Sequence, residues 1–289
     1  MVKRIMILAM SISACNCSHL DLKGLIMPTG EGVEKRFEQS MGMNVELKTG
    51  GIQAQDSYTF YVATDPHIDL THKNLGIFND ALRNDTEASF GVILGDCIDT
   101  KENLPTYLEA LSYDPDIHAC DHRIFHILGN HDIFFNGWSD FKETIGPSVF
   151  WFEVSFDGGK DLFISLDTAT GSLGRKQTEW FKSFLSANRK AYRHCVILTH
   201  TNFFYTDRTQ GSSGNMPLEE SYALIDFLGR HDASLVLQGH DHYREDLIYD
   251  KVRYIVLGAI RDEMEDPEYL RVSMCQDSIS LDWQTDFQQ

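Results

Sequence analysis

From Tyr58 onward, short apolar runs alternate with longer stretches of mixed polarity. Runs of a few residues rich in Val, Ile, Phe and Tyr, bounded by Gly, Asp or Asn, predict strands. They centre on Tyr61, Val92, Phe125, Phe152, Phe163, Val196, Leu235, Tyr254 and Leu270. Helical periodicity between them predicts helices over about 73–84, 102–112, 175–187 and 218–230. In the third, Trp180, Phe181, Phe184 and Leu185 form an apolar stripe that reads as core. The stretch after Tyr243 is rich in strands, so the pattern is not purely βαβ. It predicts an α/β (α+β) fold of two packed mixed β-sheets flanked by helices, a four-layer sandwich.

Five of the strand-like runs end in metal-binding residue types. They read TFYVATDPH, GVILGDCID, IFHILGNHD, CVILTH and LVLQGHDH. Their terminal groups are Asp65 and His67; Asp96; Asn130 and His131; His200; and His240 and His242. One Asp-x-His or His-x-His pair carries little information. Five strand ends with N and O donors are different, because open α/β sheets bind ligands beyond the carboxyl ends of their strands. The series predicts one shared metal site, so residues 56–289 are read as a single domain. Phe203–Met216, without periodicity and following His200, is expected as a rim over that site, or else as a solvated loop.

The start of the chain has another character. Lys3 and Arg4 precede IMILAM and then Ser11, Ser13 and Ala14, the form of a secretory signal over residues 1–14. Ile12–Cys15 resembles a bacterial lipobox, which implies export and lipid anchoring at Cys15 in the cell envelope. Residues 15–55 are weakly patterned and predict a tether and an irregular or edge-strand lead-in. The other cysteines are scattered and form no disulfide framework; Cys97 and Cys195, in apolar runs, read as small buried hydrophobes. The formal net charge is -18, which argues against long nucleic acid as partner and against a nuclease. It leaves room for a small anionic substrate at bound cations.

The donor set suffices for two ions sharing a carboxylate, with Asp96 as the bridge giving one oxygen to each. Asn130 offers a neutral amide oxygen, and the histidines bind as neutral imidazoles. The ordered blocks Asp65-Pro66-His67, Gly95–Asp99, Gly129–Asp132, His200 and Gly239–His242 resemble the calcineurin-like metallophosphoesterase family. That resemblance implies one ion on Asp65, His67, Asp96 and His242, and a second on Asp96, Asn130, His200 and His240. It implies hydrolysis of a phosphoester, mono- or diester, by a bridging hydroxide, with His131 as general acid and Asp99 as its orienting partner. Asp132 is the second candidate for that partner. N and O ligands suit Mn, Fe or Zn.

Departures narrow the branch. Thr100-Lys101 and Asp132 stand where protein phosphatases have Arg-Gly and Glu. Asp99 stands where purple acid phosphatases have a Tyr ligand. Asn202 is a candidate substrate contact, and Asp241 a turn residue or a partner of a ligand histidine. His19, His72, His118, His122, His194 and His231 are discounted, with His72 nearest to a ligand pair, and His126 reads as a satisfied buried histidine. The competing reading is a metal-binding scaffold or surface-binding lipoprotein without turnover.

Overall fold

A computed structural model describes residues 31–47, 51–114, 119–120, 123–204 and 216–287. The expected signal, Cys15 and Cys17 lie outside these residues, as does most of the expected rim after Phe203. Two mixed sheets face each other. The larger contains β1 (Ile52–Gln53), β7 (Phe150–Phe156), β8 (Gly159–Ser165), β9 (Cys195–Leu198), β10 (Leu235–Gln238), β11 (Glu245–Tyr249) and β12 (Val252–Val256), in the order β1-β7-β8-β9-β10-β12-β11. The smaller contains β2 (Tyr58–Ala63), β3 (Ala88–Ile93), β6 (Ile124–His126), β13 (Tyr269–Met274) and β14 (Ile279–Gln284), in the order β14-β13-β2-β3-β6. A separate pair joins β4 (Tyr113–Asp114) to β5 (Ala119–Cys120).

The pairing directions place the chemistry. β2, β3 and β6 run parallel, as do β8, β9, β10 and β12. All five chemistry-bearing strand ends therefore fall on two parallel blocks, one in each sheet. Such strands are buried on both faces, which is why they read as continuous apolar runs. In β9, Val196 and Leu198 enter the core between the sheets, and Cys195 and Ile197 face the outer helices.

The core between the sheets is strongly aromatic. Phe60 stacks on Phe90 at 4.9 Å, Phe152 on Phe163 at 4.8 Å, and Phe90 meets Phe163 edge to face at 5.3 Å. Helices α5 (Gly174–Asn188) and α6 (Leu218–Arg230) cover the larger sheet through Phe181, Leu185, Leu224 and Leu228. Helices α2 (Lys73–Asn84) and α3 (Leu104–Ala110) cover the smaller one through Leu75, Phe78, Leu82 and Tyr107. The four-layer expectation holds.

The lead-in differs from its expectation. Residues read as tether contain α1 (Val33–Leu47), followed by the edge strand β1. The face that α1 buries is partly polar, so it leaves no apolar period to detect. Arg36, 1% exposed, makes a bidentate pair with Asp167, at 2.8 and 2.9 Å. Ser40 bonds Ser148, Asn44 donates to the Val149 carbonyl, and Glu34 accepts the N–H groups of Arg175 and Lys176 at the start of α5. Helix α4 (Gly137–Thr144), also without a sequence signal, is tied to α1 by Trp138 Nε1 donating to Gln39. No helix among the described residues is long and apolar enough to cross a membrane.

Removing one member of the Arg36–Asp167 pair leaves an uncompensated buried charge. Arg36→Met is expected to cost about 3–5 kcal/mol in urea unfolding, and Arg36→Met with Asp167→Leu to recover much of it.

Candidate metal centre

The site residues sit where chains leave the parallel strands, and the backbone there is unusual. Asp65, His67, Asp96, His240 and His242 all have positive φ, between 43° and 74°. Asp and His tolerate the left-handed region better than bulky or β-branched residues, at a cost of order 1 kcal/mol or more each. These turns swing side chains from different strands toward one point. Two glycines make the approach possible. A Cβ on Gly129 would lie 2.2 Å from Asp96 Oδ1, and one on Gly239 would lie 2.0 Å from Thr64 Oγ1 and 2.6 Å from Asp65 Oδ2.

Two donor groups result. In the first, His242 Nε2 lies 3.2 Å from Asp65 Oδ1 and 3.1 Å from His67 Nε2, which is 3.6 Å from Asp65 Oδ1. In the second, His200 Nε2 lies 3.1 Å from Asn130 Oδ1, 3.2 Å from His240 Nδ1 and 3.4 Å from Asp96 Oδ2. Asp96 Oδ2 is also 3.6 Å from His67 Nε2, so one oxygen faces both groups. Its Oδ1 instead accepts the His131 backbone N–H at 2.8 Å. The expectation was one carboxylate oxygen for each ion; here Oδ2 is the oxygen that faces both groups, and Oδ1 is engaged by a backbone donor.

The residues fit metal ions. Donors at about 2.0–2.2 Å from a shared ion lie about 3–3.6 Å from one another, as these do. Asp65 Oδ1 is buried with no hydrogen-bond partner. Asp65, Asp96 and His200 are at most 2% exposed, so little water reaches their charges. All the converging atoms are N or O. Cys97, beside Asp96, is a buried free thiol whose pKa burial pushes well up, in line with its reading as a small hydrophobe.

The imidazoles are held by their second nitrogens. His67 Nδ1 is 2.9 Å from Asp99 Oδ1, and His200 Nδ1 is 2.8 Å from the Leu94 carbonyl. These contacts turn each Nε2 toward the centre and fix the tautomer. Asp99 is thus the hydrogen-bond partner of His67. His131 Nδ1 lies 3.8 Å from the same oxygen, within ion-pair range but without a hydrogen bond. The His131 ring packs edge to face on His67 at 4.5 Å.

Asp132, the other candidate partner, points elsewhere. Its oxygens accept the Gly129 and Cys97 N–H groups and brace the ends of β6 and β3 against each other. Burial and then the Asp96 charge push its carboxyl up to about 7. Asn202 is held on both sides, donating to Asp241 and accepting the Phe204 N–H. His126 bonds Tyr107, His194 the Cys275 carbonyl, and His231 the Phe227 carbonyl; His72 caps no group by its side chain. His19, His118 and His122 lie outside the described residues.

Sequence reasoning missed three supports. Thr64 Oγ1 donates to Asp65 Oδ2 at 2.5 Å, Asp65 Oδ2 also accepts the His240 N–H, and Arg261 Nη2 lies 3.6 Å from Asp99 Oδ2. Neither Thr64 nor Arg261 belongs to a motif block. Arg261 reaches the site from the loop after β12, beyond the last block.

The titrations follow from this crowding. Burial opposes charge on His67 and His200, but the surrounding carboxylates prevail and raise them to about 10 and about 9. Burial and the neighbouring His200 push His240 down to about 4. Burial also lowers His131, with Asp96 and Asp99 pulling the other way.

The sequence profile of calcineurin-like phosphoesterases matches residues 58–244. No curated protein matches the chain by sequence. Among solved structures, one similar chain is GAP50, the anchor in the inner membrane complex of Plasmodium. It is 14% identical, with a TM-score of 0.59 over 79% of this chain and 84% of that one. A dimetal phosphatase from Danio rerio is 13% identical, with a TM-score of 0.59 over 78% of this chain and 95% of that one. Purple acid phosphatase PPD1 from yellow lupin is 13% identical, with a TM-score of 0.57; the match covers 81% of this chain and 52% of that one. At these identities the likeness is one of fold.

With His67 and His200 raised to about 10 and 9, both imidazoles carry protons near neutrality until a metal displaces them. Metal uptake at pH 7 is expected to release about two protons. Apparent affinity should rise with pH and level off above about 9–10. Calorimetric titration in buffers of different ionisation enthalpy measures the proton count.

Proposed function

We propose, for a chain that belongs to the calcineurin-like phosphoesterase family and is therefore a metal-dependent phosphoester hydrolase, a dinuclear mechanism acting on a small phosphoester. One ion is assigned to Asp65, His67, Asp96 and His242, the other to Asp96, Asn130, His200 and His240. The observation that carries this reading is the single Asp96 oxygen lying between the two donor groups, with the His131 ring beside them. Bound there, the ions supply Lewis acidity, lowering the pKa of the attacking water and neutralising the phosphate oxygens as charge builds.

The chain's own groups supply the rest. The attacking water gives up one proton to solvent, and its oxygen bonds to phosphorus as the bond from phosphorus to the leaving oxygen breaks. His131 gives its Nε2 proton to that oxygen, so the alcohol leaves neutral. Asp99 holds His67 in the tautomer that presents Nε2, and its charge, 3.8 Å from His131 Nδ1, favours the protonated donor. Arg261 steadies the far oxygen of Asp99. His67 and Asp99 stand where a charge-transfer purple site would need no His and a Tyr, which favours Mn, Zn or Fe in an ordinary N/O environment.

We place the enzyme in the cell envelope, exported and anchored through a lipidated Cys15, on the strength of the signal-like start. The net charge of -18 favours small phosphoesters, mono- or diester, over long nucleic acid. The scaffold reading has one support, since the similar Plasmodium protein is an anchor. It is weakened by the complete donor set and proton donor in this chain.

The test uses protein starting after Cys17, stripped with chelator and reloaded with Mn²⁺, Zn²⁺ or Fe²⁺, on matched phosphate mono- and diesters. Turnover is expected only with metal. His131→Asn should lower kcat by ~10²–10⁴-fold with metal content unchanged. Metal bound without turnover of any ester would favour the scaffold.

A further inference from the structure

His200 stands beyond the end of β9, where the register of β8 with β9 closes at Ser165 and Leu198. The Leu166 N–H still reaches the Leu198 carbonyl, at 2.9 Å, and side chains then continue the pairing. Thr168 Oγ1 accepts the Thr201 N–H at 3.0 Å, and Thr201 Oγ1 donates to the Thr168 carbonyl at 3.0 Å. The Thr168 and Thr199 hydroxyls meet at 2.8 Å. Both residues that flank His200 are therefore bonded to Thr168. On the side of β10, the Thr199 N–H donates to the Leu237 carbonyl, the Gly239 N–H to the His200 carbonyl, and Gln238 Nε2 to the Thr201 carbonyl. Thr168, Thr199 and Thr201 are at most 1% exposed, so bulk water does not stand in for a lost partner.

Thr168 is itself fixed from behind. The carboxylate of its neighbour Asp167 takes the Arg36 guanidinium and the Ser148 hydroxyl. Gln177 bonds both the N–H and the carbonyl of Asp167. The two donor groups of the metal centre differ in this respect. The N–H groups of Asp65 and His67 bond the Gly95 and Asp96 carbonyls, at 3.1 and 3.0 Å, so the main chain from the next strand places them. The His200 ring has the Leu94 carbonyl at Nδ1, and its main chain is placed through the threonines on either side. The bonds of Thr168 run to Thr199, Thr201 and Gly171.

We infer that Thr168 is a positioning residue for the ion on Asp96, Asn130, His200 and His240, and that it sets the affinity of that ion and not of the other. The inference rests on the dinuclear reading. Metal donors must be held to within about 0.5 Å, and the groups that hold a ligand from behind are commonly worth about 10–100-fold in affinity. With a methyl in place of the Thr168 hydroxyl, the buried Thr201 N–H faces carbon. Its peptide turns toward another acceptor, and that turn passes directly to His200, one residue away.

The test titrates chelator-stripped protein with Mn²⁺ and reads both dissociation constants by equilibrium dialysis. Thr168→Val should weaken one ion by about tenfold or more and leave the other within about threefold, and Thr168→Ser should keep both. Two backgrounds identify the ion. With His67→Ala, Thr168→Val should weaken the remaining ion by the full factor; with His200→Ala it should change the remaining ion by less than about twofold. Thr59→Val controls for lost stability, since it removes a buried threonine hydroxyl bonded to the Glu87 carbonyl in the smaller sheet. It should lower the urea midpoint and leave both affinities unchanged. Should Thr168→Val fail to fold, Thr201→Ala, which removes the donor to the Thr168 carbonyl, carries the same expectation. Unchanged affinities, an equal fall in both, or the same selective loss in Thr59→Val overturns the inference and leaves the dinuclear reading standing. One ion or none in the unaltered protein contradicts both.

Discussion

The centre depends on carboxylates buried at strand ends with almost no water to hold them. Asp65 and Asp96 are essentially inaccessible, and burial alone would drive both toward the neutral acid. Facing imidazoles reverse this and hold both below the ordinary carboxylate range. Asp96 shows the division of labour. One oxygen accepts the His131 N–H and positions the loop that carries His131. The other is left between His67 and His200, the two halves of the donor set. A single residue thus ties together the end of β3, the loop after β6 and the imidazoles from both sheets.

That arrangement requires a backbone few sequences accept. Five of the residues proposed as ligands occupy the left-handed region, and the glycines at 129 and 239 allow contacts that any Cβ would block. The strain is offset by the rest of the fold, which clamps the strand ends. The sheets are locked by an aromatic core, Asp132 joins two loops, and α1 is fastened by the buried Arg36–Asp167 pair. The Asp167 loop in turn reaches the metal centre, because Thr168 Oγ1 accepts the N–H of Thr201, next to His200. Stability far from the centre and geometry within it are therefore linked through short, nameable paths.

The parts of this design visible in the sequence were those written in apolar period and residue type. The strand runs from Tyr61 to Leu270 and helices α2, α3, α5 and α6 were legible because each buries an apolar face. The donors were legible because N and O ligands at strand ends have few other uses. Helix α1 was not, since its buried face includes Arg36 and Ser40 beside Phe37. The roles of Asp99, Asp132 and Asn202 depend on hydrogen-bond partners fixed only in three dimensions, so residue type alone could name them but not aim them. Arg261 and Thr64 had no local signature at all.

The central claim is that one Asp96 oxygen joins two donor groups into a single dinuclear centre. Electron paramagnetic resonance of the Mn²⁺-reconstituted protein, read with metal stoichiometry, tests it most directly. The account predicts two Mn²⁺ per chain with an exchange-coupled spectrum, and loss of coupling in Asp96→Asn. One ion per chain, or two ions with an uncoupled spectrum in the unaltered protein, would contradict it.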